Sequence, residues 1–547
     1  MSYRFKQKKF FCLLKYCKKC YTITLRILYK GGIFMSVSNA TKEYDVVVIG
    51  AGNGGLTAAA WAAKKGLKVL LCEQHNLPGG FASSFVRGRF EFEPSLHELS
   101  DIGEGESKGG CGLMFDRLGL DVEWNRVPEA YRLILTEHKA DIVMPFGIEE
   151  YVAKMEHYVP NSRQKTEEFI SLCQEVVEAL AYLAESKGSP DKKYLIKNYG
   201  NFMRTASYSV EQVQNAMKIP QDIKNILNAY WCYLGIPVDR LNFTVYAAMF
   251  YKYVKYGAYI PTMRSHEISA ALDAKIREFG GEIAYNTRVE KILVENNRVT
   301  GVVTHKGETI KTKHVIANVS PHNVYGFMIE PHTEVPQIAK KSLNARRVGS
   351  AGFVLYLGLN KSPEELGLTD YSYFIYPNMD TNAMYDSLKD RNGNVPQATI
   401  CLNAAIPNCS PKGTTIMSFT TLFSPYSWND VKEEDYFKEK NRIADKILDN
   451  FEQATGIRVR DCIEEFEVAT PLTFARYTGA YGGSIYGYEP DSWDSALPRM
   501  MMMEQDIYIK GLRFSGGSAF RIHGYGSSYL SGETAALLTL KDIREGE

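Results

Sequence analysis

Three glycines and one glutamate stand in a spacing that can bind a dinucleotide. Gly50, Gly52 and Gly55 form the pattern G-x-G-x-x-G, and Glu73 follows Gly52 by 21 positions. In such a pattern the first glycine permits a tight turn, the second lets a pyrophosphate approach the backbone, and the third lets a helix pack closely on a strand. An acid at this distance accepts hydrogen bonds from an adenosine ribose. These four residues therefore predict a site for an adenine dinucleotide.

The segments around the glycines have the composition that this site requires. Asp45 to Ile49 is an apolar, β-branched run, as a buried parallel strand requires, and Lys68 to Cys72 is a second apolar run. Between them, Leu56 to Lys65 is alanine-rich and stops at Gly66, which predicts a helix with a glycine C-cap. The N-terminus of that helix offers free N–H groups to phosphates. A glycine-rich turn without a ligand is the alternative, and the strand, helix and acid at the expected distances argue against it.

Length, charge and cysteine usage limit the class of protein. A chain of 547 residues is too long for one core, so we expect at least two domains. Residues 1–34 carry nine Lys and Arg and no acid, whereas the remaining chain has a net charge of −8, which does not indicate nucleic-acid binding. Scattered cysteines, no secretion signal and no run of 18 apolar residues indicate a cytoplasmic protein without a membrane span. The cysteine spacing predicts no metal site.

Residues 1–43 form a basic leader outside the predicted domains. Lys30-Gly31-Gly32 corresponds to codons that can spell a purine-rich bacterial ribosome-binding site shortly before Met35. We therefore expect a bacterial protein with Met35 as its true start and residues 1–34 as translated upstream sequence. A targeting arm or a membrane-surface segment is the alternative, because apolar residues lie among the lysines. Detection of a native peptide from residues 1–34 by mass spectrometry would reject the upstream interpretation.

The patterns after Glu73 predict two domains of α/β class. Val289 to Ile310 has the alternation and turns of a β-meander, and His314 to Asn318 predicts a strand that re-enters the dinucleotide domain. Strand-like runs from 350 to 475, with a helix at 435–454, predict a second, mixed sheet. Shorter predictions are a strand-like segment over Gly88–His97, an irregular loop at 103–112, a helix over Ser265–Phe279 and a helix from about Tyr529 to Leu540. The expected domains are a Rossmann-like dinucleotide domain (parallel sheet plus meander) from 44–120, 262–322 and 505–547, and a substrate domain with a helical cap from 121–261 and 323–504.

Residues 230–259 hold ten aromatic side chains in thirty positions. Such a set can line a long apolar tunnel. A helical core or a dimer interface is an equally good interpretation, because aromatic residues dominate all three settings.

Further motifs resemble a known family. Gly79-Gly80, soon after the second strand, is the second half of a flavin-type signature, and Phe90-Glu91-Phe92-Glu93 stands just before His97. Val315 to Asn318 and Pro471 to Gly479 follow, and the second of these is the most specific. From Tyr44 to its end, the chain resembles the phytoene desaturase, carotenoid isomerase and retinol saturase group of amine-oxidase-like flavoproteins.

The resemblance implies FAD and an oxidoreductase. The group transfers hydride between the flavin and a carbon–carbon bond of an isoprenoid, polyene or other lipid-like substrate, as desaturase, saturase or isomerase. It often works at membrane surfaces, so lipid metabolism and peripheral membrane contact are expected, whereas the electron acceptor stays open. The expected FAD contacts are Gly50, Gly52, Asn53, Gly55, Glu73, Gly79, Gly80, Val289, Asn318, Gly516, Gly517, Tyr525, Gly526 and Ser527.

His97 and His523 are the candidates for catalysis. Each is interpreted as a proton donor or a contact to the flavin ring, because histidine changes charge near neutral pH. A histidine that is hydrogen-bonded in a loop wall is the alternative for both.

Two other functions stay open beside the desaturase type. One is an amine-oxidase-like flavoenzyme acting on a polar amine. The other is a non-catalytic prenyl-binding escort, because the Rab escort and GDP-dissociation-inhibitor proteins share the superfamily fold. The aromatic segment favours an apolar substrate, and the intact glycine motif with Glu73 argues against the escort.

Overall fold

A computed structural model describes residues 42–186, 190–502, 507–519 and 523–546. Most of the predicted leader, including Met35 and the question of the true start, lies outside the described residues. Within the described residues, no helix is both long and apolar enough to cross a membrane.

A five-stranded parallel sheet carries the glycine motif. Its central strand, Val46–Ile49, is fully buried and pairs with one strand on each side. The strand that re-enters from the meander, His314–Ala317, is one of these partners, as predicted. In spatial order the strands are Glu282–Ala284, Val69–Cys72, Val46–Ile49, His314–Ala317 and Leu512–Phe514. An all-parallel sheet of buried, β-branched strands is the Rossmann-like arrangement that the sequence predicts.

The first helix, Asn53–Lys64, begins three residues before the predicted start. Gly52 is its N-cap residue, and the glycines that open the helix hide its start because glycine is a poor helix former. The helix ends before Gly66, which has a φ of +84° as expected of a glycine that terminates a helix.

The predicted meander forms a four-stranded sheet beside the parallel sheet. The two-residue turn Asn296–Asn297 joins its two longest strands, and both asparagines have positive φ, of 51° and 59°. The strands, in spatial order, are Thr309–Lys311, Arg298–Thr304, Val289–Glu295 and Ile329–Glu330.

A further sheet has seven strands. The helix Tyr436–Thr455 packs Ile443, Ile447 and Phe451 into the core of this sheet. In spatial order the strands are Ala140–Met144, Tyr131–Leu135, Ser372–Tyr376, Gln397–Cys401, Thr415–Phe423, Ala351–Leu359 and Ile463–Ala469. One pair, between Tyr131–Leu135 and Ser372–Tyr376, is parallel and the others are antiparallel. The predicted mixed sheet is therefore confirmed, and with it the α/β class.

Helices make up most of residues 148–278. The predicted helix at Ser265 is confirmed as Ser265–Glu278. The α-helices between residues 148 and 256 are Ile148–Tyr158, Arg163–Glu185, Lys192–Asn198, Gly200–Thr205, Val210–Ala216, Gln221–Leu227 and Phe243–Tyr256. The boundaries of the two predicted domains stay a prediction.

Three local predictions need correction. The strand over Gly88–His97 ends at Phe92, because the Glu93 carboxylate accepts the N–H groups of Ser95 and Leu96 and turns the chain. The loop at 103–112 contains a short hairpin and, from Gly110, a helix that continues to Leu118. The terminal helix spans Tyr525–Glu545 and begins four residues early, in glycine and serine residues that do not signal a helix.

The terminal helix packs directly on the backbone of the first helix. A Cβ at Gly532 would overlap the carbonyl oxygen of Gly54, so the contact needs a glycine. This packing holds the end of the chain against the glycine motif at its start.

Candidate active site

A cavity of about 1420 Å³ begins where the parallel strands end. Four of its lining residues directly follow a strand of that sheet: Gly50, Glu73, Asn318 and Ser515. Ligands of open α/β sheets bind in this position, outside the carboxyl ends of the strands. The cavity also exceeds the range of about 300–1,000 Å³ that is common for one drug-sized ligand. It therefore has room for a dinucleotide and a second molecule.

The first helix presents backbone N–H groups to this cavity. Gly52 and Asn53 line the cavity at the helix N-terminus. A Cβ at Gly52 would lie 2.5 Å from the side-chain amide of Asn318, so a larger residue would have to displace that amide. The Oδ1 atom of Asn53 is buried and has no hydrogen-bond partner among the described residues. These features fit an anion such as a pyrophosphate.

Gly55 has a different role from the other predicted contacts. It does not belong to the cavity lining, and a Cβ at Gly55 would lie 3.2 Å from the carbonyl carbon of Gly50. Gly55 instead allows the close packing of the helix on the strand that the motif requires.

Glu73 is a buried carboxylate at the edge of the cavity. It is 7% exposed, and it accepts the N–H of Ala51 at 2.6 Å and that of His75 at 2.8 Å. These bonds fix the carboxylate beside the turn and leave acceptor capacity for a hydroxyl group. Val289, from the meander, lines the cavity with it.

The glycine pair Gly79-Gly80 lies directly over the first turn. The N–H of Gly79 donates to the carbonyl of Ala51 at 2.7 Å, and both glycines have positive φ, of 122° and 61°. A Cβ at Gly80 would lie 3.4 Å from the Cα of Gly52. The two halves of the predicted signature therefore meet in space.

The end of the chain closes the same cavity. Gly516, Gly517, Tyr525, Gly526 and Ser527 all belong to its lining. The N–H of Gly516 donates to Oγ of Ser531 at 2.7 Å, which ties the turn to the terminal helix. Tyr525 donates to the carbonyl of Phe81 at 2.8 Å. The predicted contact residues other than Gly55 are thus brought together around one cavity, and their roles stay predictions.

The end of the family-specific segment Pro471 to Gly479 also lines this cavity. The segment forms a helix, Pro471–Thr478, whose N-cap is Thr470. Nε2 of His75 lies 2.6 Å from the carbonyl oxygen of Tyr477, and the rings of these two residues stack. The helix therefore helps to wall the part of the cavity next to Glu73.

Both candidate histidines line the cavity. His523 is 5% exposed, its ring stacks on Tyr486 at 4.6 Å, and neither ring nitrogen has a partner among the described residues. His97 places Nε2 3.0 Å from Oγ1 of Thr420. Burial lowers the pKa of His97 to about 4 and that of His523 to about 3. Both rings are therefore neutral at pH 7, so they can donate one hydrogen bond each but do not carry a spare proton.

Glu98 is a candidate functional residue that the sequence analysis missed. It lines the cavity beside His97 and is 5% exposed. Its Oε1 accepts the O–H of Tyr233 at 2.5 Å, and its Oε2 has no partner among the described residues. Burial raises the pKa of Glu98 to about 8, although the hydrogen bond from Tyr233 opposes the rise. Its position between Leu96 and Leu99, beside His97, was the available signal.

The aromatic segment, residues 230–259, contributes both to the core and to the wall of the cavity. Tyr230, Trp231 and Phe250 are fully buried in the core, whereas Tyr233 and Tyr253 line the cavity. The helix Phe243–Tyr256 thus contributes to both the core and the cavity wall. The cavity continues past these tyrosines between apolar side chains, among them Leu180, Val245 and Met249.

Comparisons with known proteins agree with this geometry. A family model described as FAD dependent oxidoreductase matches residues 45–322. The chain is 25% identical over 493 residues to an all-trans-retinol 13,14-reductase of Danio rerio, covering 84% of this chain and 79% of that protein. It is 26% identical over 528 residues to a chloroplastic prolycopene isomerase of Daucus carota, covering 92% and 81%.

A solved structure supports the fold over most of the chain. A putrescine oxidase double mutant superposes with a TM-score of 0.61 at 12% identity, covering 92% of this chain and 100% of that one. This likeness concerns the fold alone.

Proposed function

The chain belongs to the family of FAD-dependent oxidoreductases, and from this membership we propose that it transfers hydride between FAD and a carbon–carbon bond of a polyene isoprenoid. It is an enzyme, and its cofactor is FAD. The reaction is of the saturase, desaturase or isomerase type. One observation supports the substrate class: the cavity runs from the terminal glycines into a wall of tyrosines and aliphatic side chains.

The residues present fit an extended FAD. A Cβ at Gly52 would fill the space in front of the Asn318 side chain. The buried Oδ1 of Asn53 and Oγ of Ser515 have no hydrogen-bond partner among the described residues. These orphaned polar atoms would hydrogen-bond to a cofactor that lies along the strand ends. Glu73 would hold the ribose, and the turn around Gly516 would face the isoalloxazine ring.

FAD supplies the redox chemistry when it is bound. The chain binds and orients the reacting molecules, and its aromatic wall excludes water from the apolar end of the cavity. Neutral His523, beside the terminal turn, would donate a hydrogen bond toward the flavin. His97, held by Thr420, would contact the substrate or the ring from the seven-stranded sheet.

Similarity to two enzymes named for polyene substrates supports this substrate class over a polar amine. An amine substrate would need a fixed anion to bind its positive charge. The buried Glu98 contacts the aromatic wall through Tyr233, and burial raises its pKa to about 8, so its neutral form predominates at pH 7. The intact motif of Gly50, Gly52 and Gly55 together with Glu73 argues against the escort function. We also propose a role in lipid metabolism and contact with a membrane surface, and the proposal names no electron acceptor.

The test is an anaerobic turnover with defined probes. The FAD-loaded protein is reduced with dithionite and mixed separately with all-trans-retinol and prolycopene, and the products are identified by mass and by absorption spectrum. We expect a product with two added hydrogens or an isomerised polyene. Oxidation of putrescine by the oxidised enzyme, with both polyenes unchanged, would contradict the proposal and favour the amine alternative.

A further inference from the structure

We propose that Glu98 and Tyr233 form the proton-delivering pair of this active site, with Tyr233 contacting the substrate and Glu98 restoring the proton that Tyr233 gives up. The inference rests on the proposed function, because it names the residues that complete the hydride transfer. It concerns an acid that lies outside the family-specific segments named above.

The pair is built as a unit in the cavity wall. The Oη atom of Tyr233 and Oε1 of Glu98 are 2.5 Å apart, although the two residues are 135 positions apart in sequence. Both residues line the cavity, and Tyr233 is half-buried whereas Glu98 is only 5% exposed. A tyrosine in front of a buried acid is the order that a two-step relay needs.

The pair lies next to the end of the cavity that the terminal turn closes. Tyr486, whose ring stacks on His523, donates its O–H to the carbonyl of Cys232 at 2.8 Å. Cys232 directly precedes Tyr233, so this bond fixes the backbone that carries the tyrosine. The ring of His97 meets Tyr233 edge-on at 5.9 Å. Tyr233 therefore contacts His97 directly and is linked to His523 through Cys232 and Tyr486.

The groups around Glu98 favour the protonated form of its carboxyl group. The titratable side chains that act on or face it are Tyr230, Tyr233, Tyr253, Tyr371, His97, Cys232 and Glu129. Burial keeps the tyrosines, the thiol and the histidine neutral at pH 7, and the remaining group, Glu129, is a second acid. Burial and a like charge both raise the pKa of a carboxyl group. Glu98 is accordingly a store of one proton at neutral pH.

A protonated Glu98 also orients the tyrosine. In the carboxylate form, Oε1 of Glu98 accepts the O–H of Tyr233 across their 2.5 Å contact. In the protonated form, the O–H of Glu98 can donate to Oη across the same contact, and the hydroxyl proton of Tyr233 is then free to point into the cavity. The carboxylate form accepts the tyrosine proton instead and turns it away from the cavity. The pair thus offers a proton to the cavity only while Glu98 is protonated.

The balance of the step is simple. In the saturation direction, one carbon of a double bond gains a hydride with both electrons, which FAD chemistry supplies. The other carbon gains the proton of Tyr233, and the π bond is lost as two C–H bonds form. Glu98 returns a proton to Tyr233, becomes a carboxylate and then takes up one proton from solvent. An external two-electron donor, dithionite in the assay, restores the reduced cofactor.

The experiment compares Glu98→Gln and Tyr233→Phe with the matched control Tyr230→Phe. Tyr230 packs against Tyr233 at 5.4 Å, but its O–H donates to the carbonyl of Ala130 and it does not line the cavity. Single turnovers of the dithionite-reduced, FAD-loaded proteins with all-trans-retinol and prolycopene give the rates. We expect both pair variants to be about a hundredfold slower and the control to stay within twofold of wild type, as removal of a general acid predicts.

A second readout does not depend on turnover. The infrared difference between wild type and Glu98→Gln at pH 7 should contain the carbonyl stretch of a protonated carboxyl group, shifted in D₂O and lost at high pH. Absence of this band overturns the proposal, as do pair variants that react as fast as Tyr230→Phe. If wild type converts neither polyene, the proposed function has failed, and the infrared band still decides whether Glu98 holds a proton.

Discussion

Gly54 in the first helix and Gly516 in the terminal turn approach so closely that a Cβ at Gly54 would lie 2.8 Å from the Cα of Gly516. The start of the dinucleotide motif and the end of the chain therefore form one surface. In the proposed function, one side of this surface would hold the pyrophosphate and the other side would face the isoalloxazine ring. Its geometry depends on the absence of two side chains, so it can be tested by adding one.

Gly54→Ala should reduce FAD binding and stability together. The added methyl group meets backbone atoms, which cannot rotate away, so we expect a loss of about 1–3 kcal/mol in the free energy of unfolding. Denaturant unfolding and the flavin content after dialysis against FAD measure the two effects. Gly200→Ala is the control, because a Cβ at Gly200 has no neighbour within 4 Å. Equal flavin content in the two variants would contradict the close contact.

Glu73→Gln should weaken FAD binding and, because an amide has only one oxygen, should also leave the N–H of Ala51 or that of His75 without its acceptor. The neutral amide accepts hydrogen bonds less strongly than the carboxylate, and hydrogen bonds to charged groups contribute about 1.5–3 kcal/mol. The expected rise in the FAD dissociation constant is roughly ten- to hundredfold. Fluorescence titration of the apoprotein measures it. Glu464→Gln, at an exposed carboxylate paired with Arg89, should leave the constant unchanged.

His97→Ala and His523→Ala should keep the yellow flavin and lose about a hundredfold in turnover. The structure adds a condition to this expectation. Because both imidazoles are neutral above pH 5, the wild-type rate should show no step near pH 6.5. A rate–pH profile with a step at that value, removed by either substitution, would show that a histidine titrates during the reaction.

The buried histidines should also make stability depend on pH. In the unfolded chain a histidine binds a proton near pH 6.5, whereas burial lowers the pKa of His523 to about 3 in the folded protein. Between these values the unfolded state binds more protons, so the free energy of unfolding falls as pH falls, by about 1.4 kcal/mol per pH unit for one histidine. Burial raises the pKa of Glu98 to about 8 and that of Glu129 to about 7, and these acids contribute slopes of the opposite sign over the same range. The contribution of His523 is therefore the difference between the slopes of wild type and His523→Gln in urea unfolding at pH 5, 6 and 7, and we expect the variant to lose the positive part. An unchanged slope in that variant would mean that His523 is not the group responsible.

The dinucleotide half of the molecule was predictable because its information is local. The strand before Gly50, the helix after Gly52 and the acid at position 73 lie within one short segment, and each has a composition that dictates its structure. The meander was predictable for the same reason, since Asn296–Asn297 marks its turn. Helix starts were less predictable where glycine and serine form the first turn, as at Gly52 and Gly526.

The substrate half was not predictable to the same depth. Glu98 gains its character from Tyr233, which reaches it from a distant part of the chain, and His523 gains its low pKa from burial against Tyr486. Neither relationship has a signal in the spacing of residues. The aromatic segment likewise predicted the right residue types, but only the packing decides that Tyr230 belongs to the core and Tyr233 to the cavity.

A crystal structure of the FAD-loaded protein tests the central claim most directly. We predict the pyrophosphate against the N–H groups that open the first helix, the ribose on Glu73, and the isoalloxazine ring between the Gly516 turn and the stacked pair Tyr486 and His523. A ring that points away from this turn, or a cofactor that leaves the corner at Gly52 empty, would contradict the account.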